Sequence, residues 1–167
     1  VMKLDDLNQL EHKPFTAALG AIFEHSPWIA ELVWARRPFT SAAHLHQEMM
    51  GIVRNSSPDL VMGLLRAHPD LAARIQMADH SVKEQQGAGL DRLSPELFEW
   101  FQTHNRLYAE KFGFPFIFAV KGKTVADIQA AMSSRISHTA EQETEQALAE
   151  IGRITGFRLA ELLEEPL

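Results

Sequence analysis

Apolar residues recur along this chain at helical spacing, and Pro, Gly and small polar residues punctuate them. Phe15, Leu19, Ile22 and Phe23 fall at i, i+4, i+7 and i+8, the stripe of one helix face. Ser26-Pro27 pairs a capping residue with Pro at the first helical position, which predicts a new helix through Trp28 and Leu32 that Arg37-Pro38 stops. Leu45, Met49 and Ile52 mark a third helix after the cap candidate Ser41, and Ser57-Pro58 repeats the cap-plus-Pro signal before Leu60, Val61, Leu64 and Leu65. His68-Pro69 ends that helix, because the residue before Pro is pushed out of the α region. Ser94-Pro95 opens a helix through Leu97, Phe98, Phe101, Tyr108 and Phe112, with Gly113 as its left-handed terminator. Thr124 caps a helix bearing Ile128 and Met132, and the last helix runs from about Thr139 to Leu163. Phe114 to Val120 is apolar, contains Pro115 and reads as an extended buried connection. The pattern predicts one all-α domain over residues 1–167, a bundle of about eight helices.

Composition narrows the chemistry. A length of 167 residues with 46% hydrophobic and 23% charged residues fits one globular domain. No cysteine is present, which excludes disulfides, thiolate nucleophiles and Cys-bearing zinc sites. A net charge of -6 argues against a nucleic-acid partner, which needs a basic face. No apolar run approaches the roughly 20 residues of a membrane helix, so no membrane partner is expected. The N-terminus carries Asp5 and Asp6 and no apolar signal region, and Glu164-Glu165-Pro166-Leu167 matches no peroxisomal or retention signal. Cytoplasm is the expected location by elimination. The eight histidines give no metal signature. His44 and His46 are wrongly spaced for one helix face, His12, His25, His80, His104 and His138 are scattered, and no HExxH occurs, so no metal is expected. Gly87-Ala88-Gly89 lacks the Gly-Lys-Ser/Thr of a phosphate loop, and nothing resembles a nucleophile elbow.

Three features carry candidate chemistry. His68 sits at a helix C-terminus, whose dipole favours an imidazolium, so it can cap the helix or act as a general acid–base near neutral pH. Ser81 and Glu84 form Ser-x-x-Glu, a capping box; the same helix start presents free N–H groups that bind anions and polarised carbonyls. Arg158 lies on the face of Ala147, Ile151, Ile154 and Leu162, where a guanidinium must find an acceptor. That acceptor is either an internal Asp or Glu, or a substrate carboxylate or carbonyl suited to its planar fork. Arg153 points elsewhere, to solvent. The residues alone describe a helical domain with candidates for an acid–base site, each of which also reads as a helix cap.

Five motifs in register resemble one family. They are Phe23-Glu24-His25-Ser26-Pro27-Trp28, Arg37-Pro38-Phe39, Ala67-His68-Pro69-Asp70-Leu71-Ala72, Ser81-x-x-Glu84-Gln85-x-Gly87-Ala88-Gly89-Leu90, and Lys111-Phe112-Gly113-Phe114-Pro115-Phe116. Together, from about Leu7 to Leu163, they resemble the 2-oxo-4-hydroxy-4-carboxy-5-ureidoimidazoline (OHCU) decarboxylases of urate degradation. The resemblance implies an all-helical homodimer without cofactor, a carboxy-lyase that converts OHCU to (S)-allantoin. It places the essential His on His68, the essential Glu on Glu84, and the substrate-contacting Ser and Arg on Ser81 and Arg158. Pro69, the neighbours Val82, Lys83 and Gln85, and the backbone of Phe116, Ile117, Phe118, Ala119 and Val120 match the remaining pocket segments. Two departures stand out: a short stretch between Asp70 and Ser81, and Ser137-His138-Thr139 where relatives often carry Asn. The chemistry suits the inventory, because a carboxylate beside an imine carbon can leave its electrons in the ring, with no Schiff base or metal strictly needed. It needs charge stabilisation and one directed proton delivery, assigned to His68. A non-enzymatic helical interaction module and a hydrolase of a related ureido compound are the competing readings.

Overall fold

A computed structural model describes residues 2–71 and 93–167. Among them the chain is all-α, with eight α-helices, one 3-10 turn and no strand. The backbone divides into two compact units, residues 1–67 with 151–167 and residues 68–150.

The first unit holds α1 (Leu4–Asn8), α2 (His12–Leu19), α3 (Trp28–Val33), the 3-10 turn Trp34–Arg36, α4 (Ala42–Arg54) and α5 (Pro58–Ala67). It also holds the second half of the last helix, α8 (Ala140–Leu163). Its helices start where local chemistry starts them. The Ser41 hydroxyl accepts from the His44 amide at 3.0 Å, and that of Ser57 accepts from the Leu60 amide at 3.2 Å. Phe15, Leu19, Phe23, Ile29, Val33, Leu45, Met49 and Val53 are buried, and α3 packs against α2 and α4. The C-terminal segment is tied in by the Ala42 amide, which donates to Glu165 Oε1 at 2.9 Å.

Two expectations fail here. The stripe from Phe15 to Phe23 is not one helix, because α2 ends at Leu19 with Gly20 as its C-cap. Ile22 and Phe23 are buried from the turn beyond it, so the apolar period outruns the helix. Ser26 does not cap α3. Its hydroxyl donates to the Glu24 carbonyl at 2.9 Å, and Pro27 occupies the cap position.

The second unit holds α6 (Pro95–Phe112), α7 (Val125–Arg135) and the first turns of α8. Ser94 caps α6, and Gly113 ends it at φ 82°. That left-handed conformation costs an L side chain about 1 kcal/mol or more, which is why glycine stands there. Thr124 and Asp127 form a full capping box on α7. Thr139 and Gln142 repeat the pattern at the start of α8, with the Gln142 amide on the Thr139 hydroxyl at 3.1 Å and the Thr139 amide on the Gln142 carbonyl oxygen at 2.9 Å. Between α6 and α7, residues 114–120 run without helix or strand, and Phe114, Phe116, Ile117, Ala119 and Val120 are buried.

Candidate functional site

His68 follows the last residue of α5 and is 6% exposed. Helix termination before Pro69 puts the imidazole at a helix C-terminus, as the sequence predicts, and there it is buried. Pro69 and Asp70 are half-buried, and Leu71 is buried. Ser81, Val82, Lys83, Glu84 and Gln85 lie outside the described residues, as do Gly87 to Leu90.

Arg158 is in the first unit and has an internal partner. Its Nη2 donates to Glu24 Oε1 at 2.6 Å and its Nη1 to the Ile22 carbonyl at 3.1 Å. Both side chains stay partly open, at 23% and 21% exposure, so the pair sits at the edge of the buried stripe. The residues buried deepest beside it are Ile154, Thr155 and Leu159. Arg153 is exposed. An open groove of about 780 Å³ in this unit is lined by His12, Lys13, Glu24, His25 and Glu31 among others, and by none of the site residues read from sequence.

The second unit contains a buried polar network that sequence reasoning missed. Arg135, Glu143 and Glu150 are 5%, 0% and 2% exposed. Arg135 Nε donates to Glu143 Oε1 at 2.8 Å, and the Tyr108 hydroxyl donates to the same oxygen at 2.5 Å. His138 Nδ1 lies 2.8 Å from Glu143 Oε2. Burial, then the hydrogen bond to the Glu143 carboxylate, pushes the Tyr108 phenol well above its ordinary range, so it remains a donor. The guanidinium also stacks over the Phe116 ring, 4.4 Å from its centroid.

This network holds the 116–120 segment by its main chain. Arg135 Nη1 donates to the Ile117 carbonyl at 2.7 Å, and the Ala119 amide donates to Glu150 Oε1 at 3.1 Å. Gln146 Nε2 in turn donates to Glu150 Oε2 at 3.1 Å. A signal for these residues exists in the sequence. Glu143, Ala147, Glu150 and Ile154 share one face of α8, the same anomaly that singled out Arg158. Among the described residues no group of three or more His, Asp or Glu could hold a metal ion.

The family model described as OHCU decarboxylase matches residues 8–160. The chain is 47% identical over 161 residues to a 2-oxo-4-hydroxy-4-carboxy-5-ureidoimidazoline decarboxylase of Halalkalicoccus jeotgali, covering 96% of this chain and 92% of that protein. It is 48% identical over 162 residues to the uric acid degradation bifunctional protein PucL of Bacillus subtilis, covering 97% of this chain and 33% of that protein. A crystal structure of (S)-allantoin synthase superposes with a TM-score of 0.81 at 31% identity, covering 97% of this chain and 54% of that one.

Proposed function

The chain belongs to the OHCU decarboxylase family, and from that premise we propose that it converts OHCU to (S)-allantoin, with His68 delivering the proton. The observation that carries the reading is the family match over residues 8–160, which includes His68 and Arg158. Burial of His68 at the end of α5 supports its role, because a desolvated imidazole can direct a proton to one face of a bound ring.

The steps balance without a further reactant. The bond from the ring carbon to its carboxylate breaks and CO2 leaves. The electron pair moves into the ring toward the neighbouring C=N, giving an enol whose second carbon bears the ureido group. Protonation of that carbon sets its chirality as the ring hydroxyl loses its proton and becomes a carbonyl. His68 delivers the proton to that carbon, and the proton the hydroxyl loses ends on the ring nitrogen that received the electron pair. Glu84 orients the ureido or ring N–H groups, and Ser81, Pro69 and the peptide groups of residues 116–120 hold polar ring atoms. In this reading Arg158 takes the substrate carboxylate or carbonyl while keeping its contact with Glu24, since a guanidinium has five donors. The chain acts as a homodimer.

The test generates OHCU in situ from urate and follows allantoin by circular dichroism. The wild type is expected to speed the appearance of one enantiomer, with release of CO2, and His68→Ala to abolish that acceleration. An H68A variant as fast and as stereospecific as the wild type overturns the assignment. Ammonia release in place of CO2 overturns the reaction class. Light scattering checks the assembly, and a mass of one 18.8 kDa chain would refute the homodimer.

A further inference from the structure

We propose that Arg135 and Glu150 are positioning residues for substrate recognition. They clamp the two peptide groups flanking Phe118, so that the N–H and C=O of Phe118 face away from the clamp as a donor–acceptor pair for a ureido or ring-amide edge.

The argument follows from planar peptide geometry. Arg37–Pro38 is the cis peptide among the described residues, so the bonds on either side of Phe118 are trans. In a trans peptide the C=O and N–H point in opposite directions. Arg135 Nη1 holds the Ile117 oxygen at 2.7 Å, so the Phe118 N–H is directed away from the guanidinium. Glu150 Oε1 holds the Ala119 N–H at 3.1 Å, so the Phe118 C=O is directed away from the carboxylate. Residues 115–120 form no helix, strand or turn, and where such a segment runs extended one residue's N–H and C=O point the same way, as in a ladder of strands. Among the described residues neither group of Phe118 makes a hydrogen bond, although its flanking residues Ile117 and Ala119 are 0% and 5% exposed. A donor and an acceptor left unpaired on one residue match the N–H and C=O of a urea or lactam.

The clamp is itself held in place. Arg135 is fixed by Glu143 at 2.8 Å, by Tyr108 at 3.4 Å and by the face of Phe116. Glu150 is fixed by Gln146 at 3.1 Å. Main-chain recognition is thereby specified by side chains that never touch the substrate. The inference rests on the decarboxylase reading.

Glu150→Leu, Glu150→Gln and Arg135→Lys test it. A Gln carbonyl oxygen still accepts from the Ala119 amide, whereas Leu cannot; Lys cannot reach Glu143 and the Ile117 carbonyl together. E150L and R135K are expected to raise KM about tenfold or more with kcat within about threefold, the pattern of lost uniform binding. E150Q is expected to restore KM to near the wild-type value. Titration with (S)-allantoin is expected to shift the Phe118 amide resonance in wild type and E150Q, and not in E150L. An E150L variant with wild-type KM and a wild-type Phe118 shift overturns the clamp, as does one that loses kcat and thermal stability at unchanged KM. If E150L does not fold, R135K is read by the same measurements. A wild type that leaves OHCU decay unchanged overturns the decarboxylase reading and the inference with it. An active wild type with an indifferent E150L overturns the inference alone.

Discussion

Arg158 divides its planar fork between a carboxylate and a main-chain carbonyl from one short stretch of chain, Glu24 and Ile22. A Lys there would have one nitrogen in place of the two that the planar fork divides between them. His46 is an imidazole held by a hydroxyl and a main-chain group of α8. Its Nε2 lies 3.0 Å from Thr155 Oγ1, and that hydroxyl gives its own proton to the Ile151 carbonyl at 2.7 Å. Burial is the larger influence on His46 and lowers its pKa below the usual 6.5, with a main-chain hydrogen bond at Gly152 opposing it. The folded chain therefore resists a proton that the unfolded chain accepts. Stability is intact above the unfolded value and is lost as pH falls through it toward the lowered folded value. His46→Gln keeps a side-chain donor at similar reach and removes the titration. The stability difference between wild type and H46Q, from urea unfolding at a series of pH values, is expected to be flat above about pH 7 and to move in favour of H46Q below about pH 6.5. A difference that stays constant from about pH 8 to pH 5 refutes this account.

At the scale of elements, the helix starts are set by neighbours three residues apart. Thr139 and Gln142 satisfy each other's main-chain amides at 3.1 and 2.9 Å, so Thr139→Ala removes half of a reciprocal cap. It is expected to cost about 1 kcal/mol, read as a lower urea midpoint at unchanged slope. Thr144→Ala is the control. The Thr144 hydroxyl only bonds back to the Ala140 carbonyl at 2.8 Å on an exposed face, so its loss is expected to stay within about 0.5 kcal/mol. A T139A variant no less stable than T144A contradicts the cap. Such local rules explain what was legible. Ser41, Ser57, Ser94, Gly113, Thr124 and Thr139 all act where the sequence puts them, because capping needs only a few adjacent residues. Ser26 fails because a second local option, its own loop carbonyl at Glu24, wins. The buried network was illegible for the opposite reason. Glu143 meets Tyr108 across 35 residues and Glu150 meets Ala119 across 31, and no local signal encodes such pairings. The carboxylates stood on an apolar face in plain view, but their donors lay far off in the chain, Tyr108 on α6 and Ala119 on an irregular segment without a period. The helix end at His68 was legible because Pro69 dictates it; the hydrogen bonds to the Ile117 and Ala119 peptide groups were not, since peptide orientation has no letter in the sequence.

For the whole molecule, long-range electrostatics bears on the proposed reaction. The chain carries a net charge of -6, and the substrate of the proposed function is a carboxylate anion. Six like charges acting at about 20 Å in water repel such an anion by roughly 1 kcal/mol before screening. The Debye length is about 20 Å at 0.02 M salt and about 6 Å at 0.3 M, so salt removes most of this barrier. On the proposed reading attraction has to come from Arg158, which is partly neutralised by Glu24 at 2.6 Å. Encounter is thus opposed by the global field and favoured only within a few ångströms of the guanidinium, which salt screens less. The expected result is that kcat/KM rises by a factor of about two to five between 0.02 M and 0.3 M salt, while kcat stays constant, since chemistry inside a desolvated site is insulated from the ionic atmosphere. Glu24→Gln, which frees the Arg158 charge, is expected to flatten or invert that slope. A wild-type kcat/KM that falls with salt would show that the local cations dominate the approach, and would sink this account of how a negative protein admits a negative substrate.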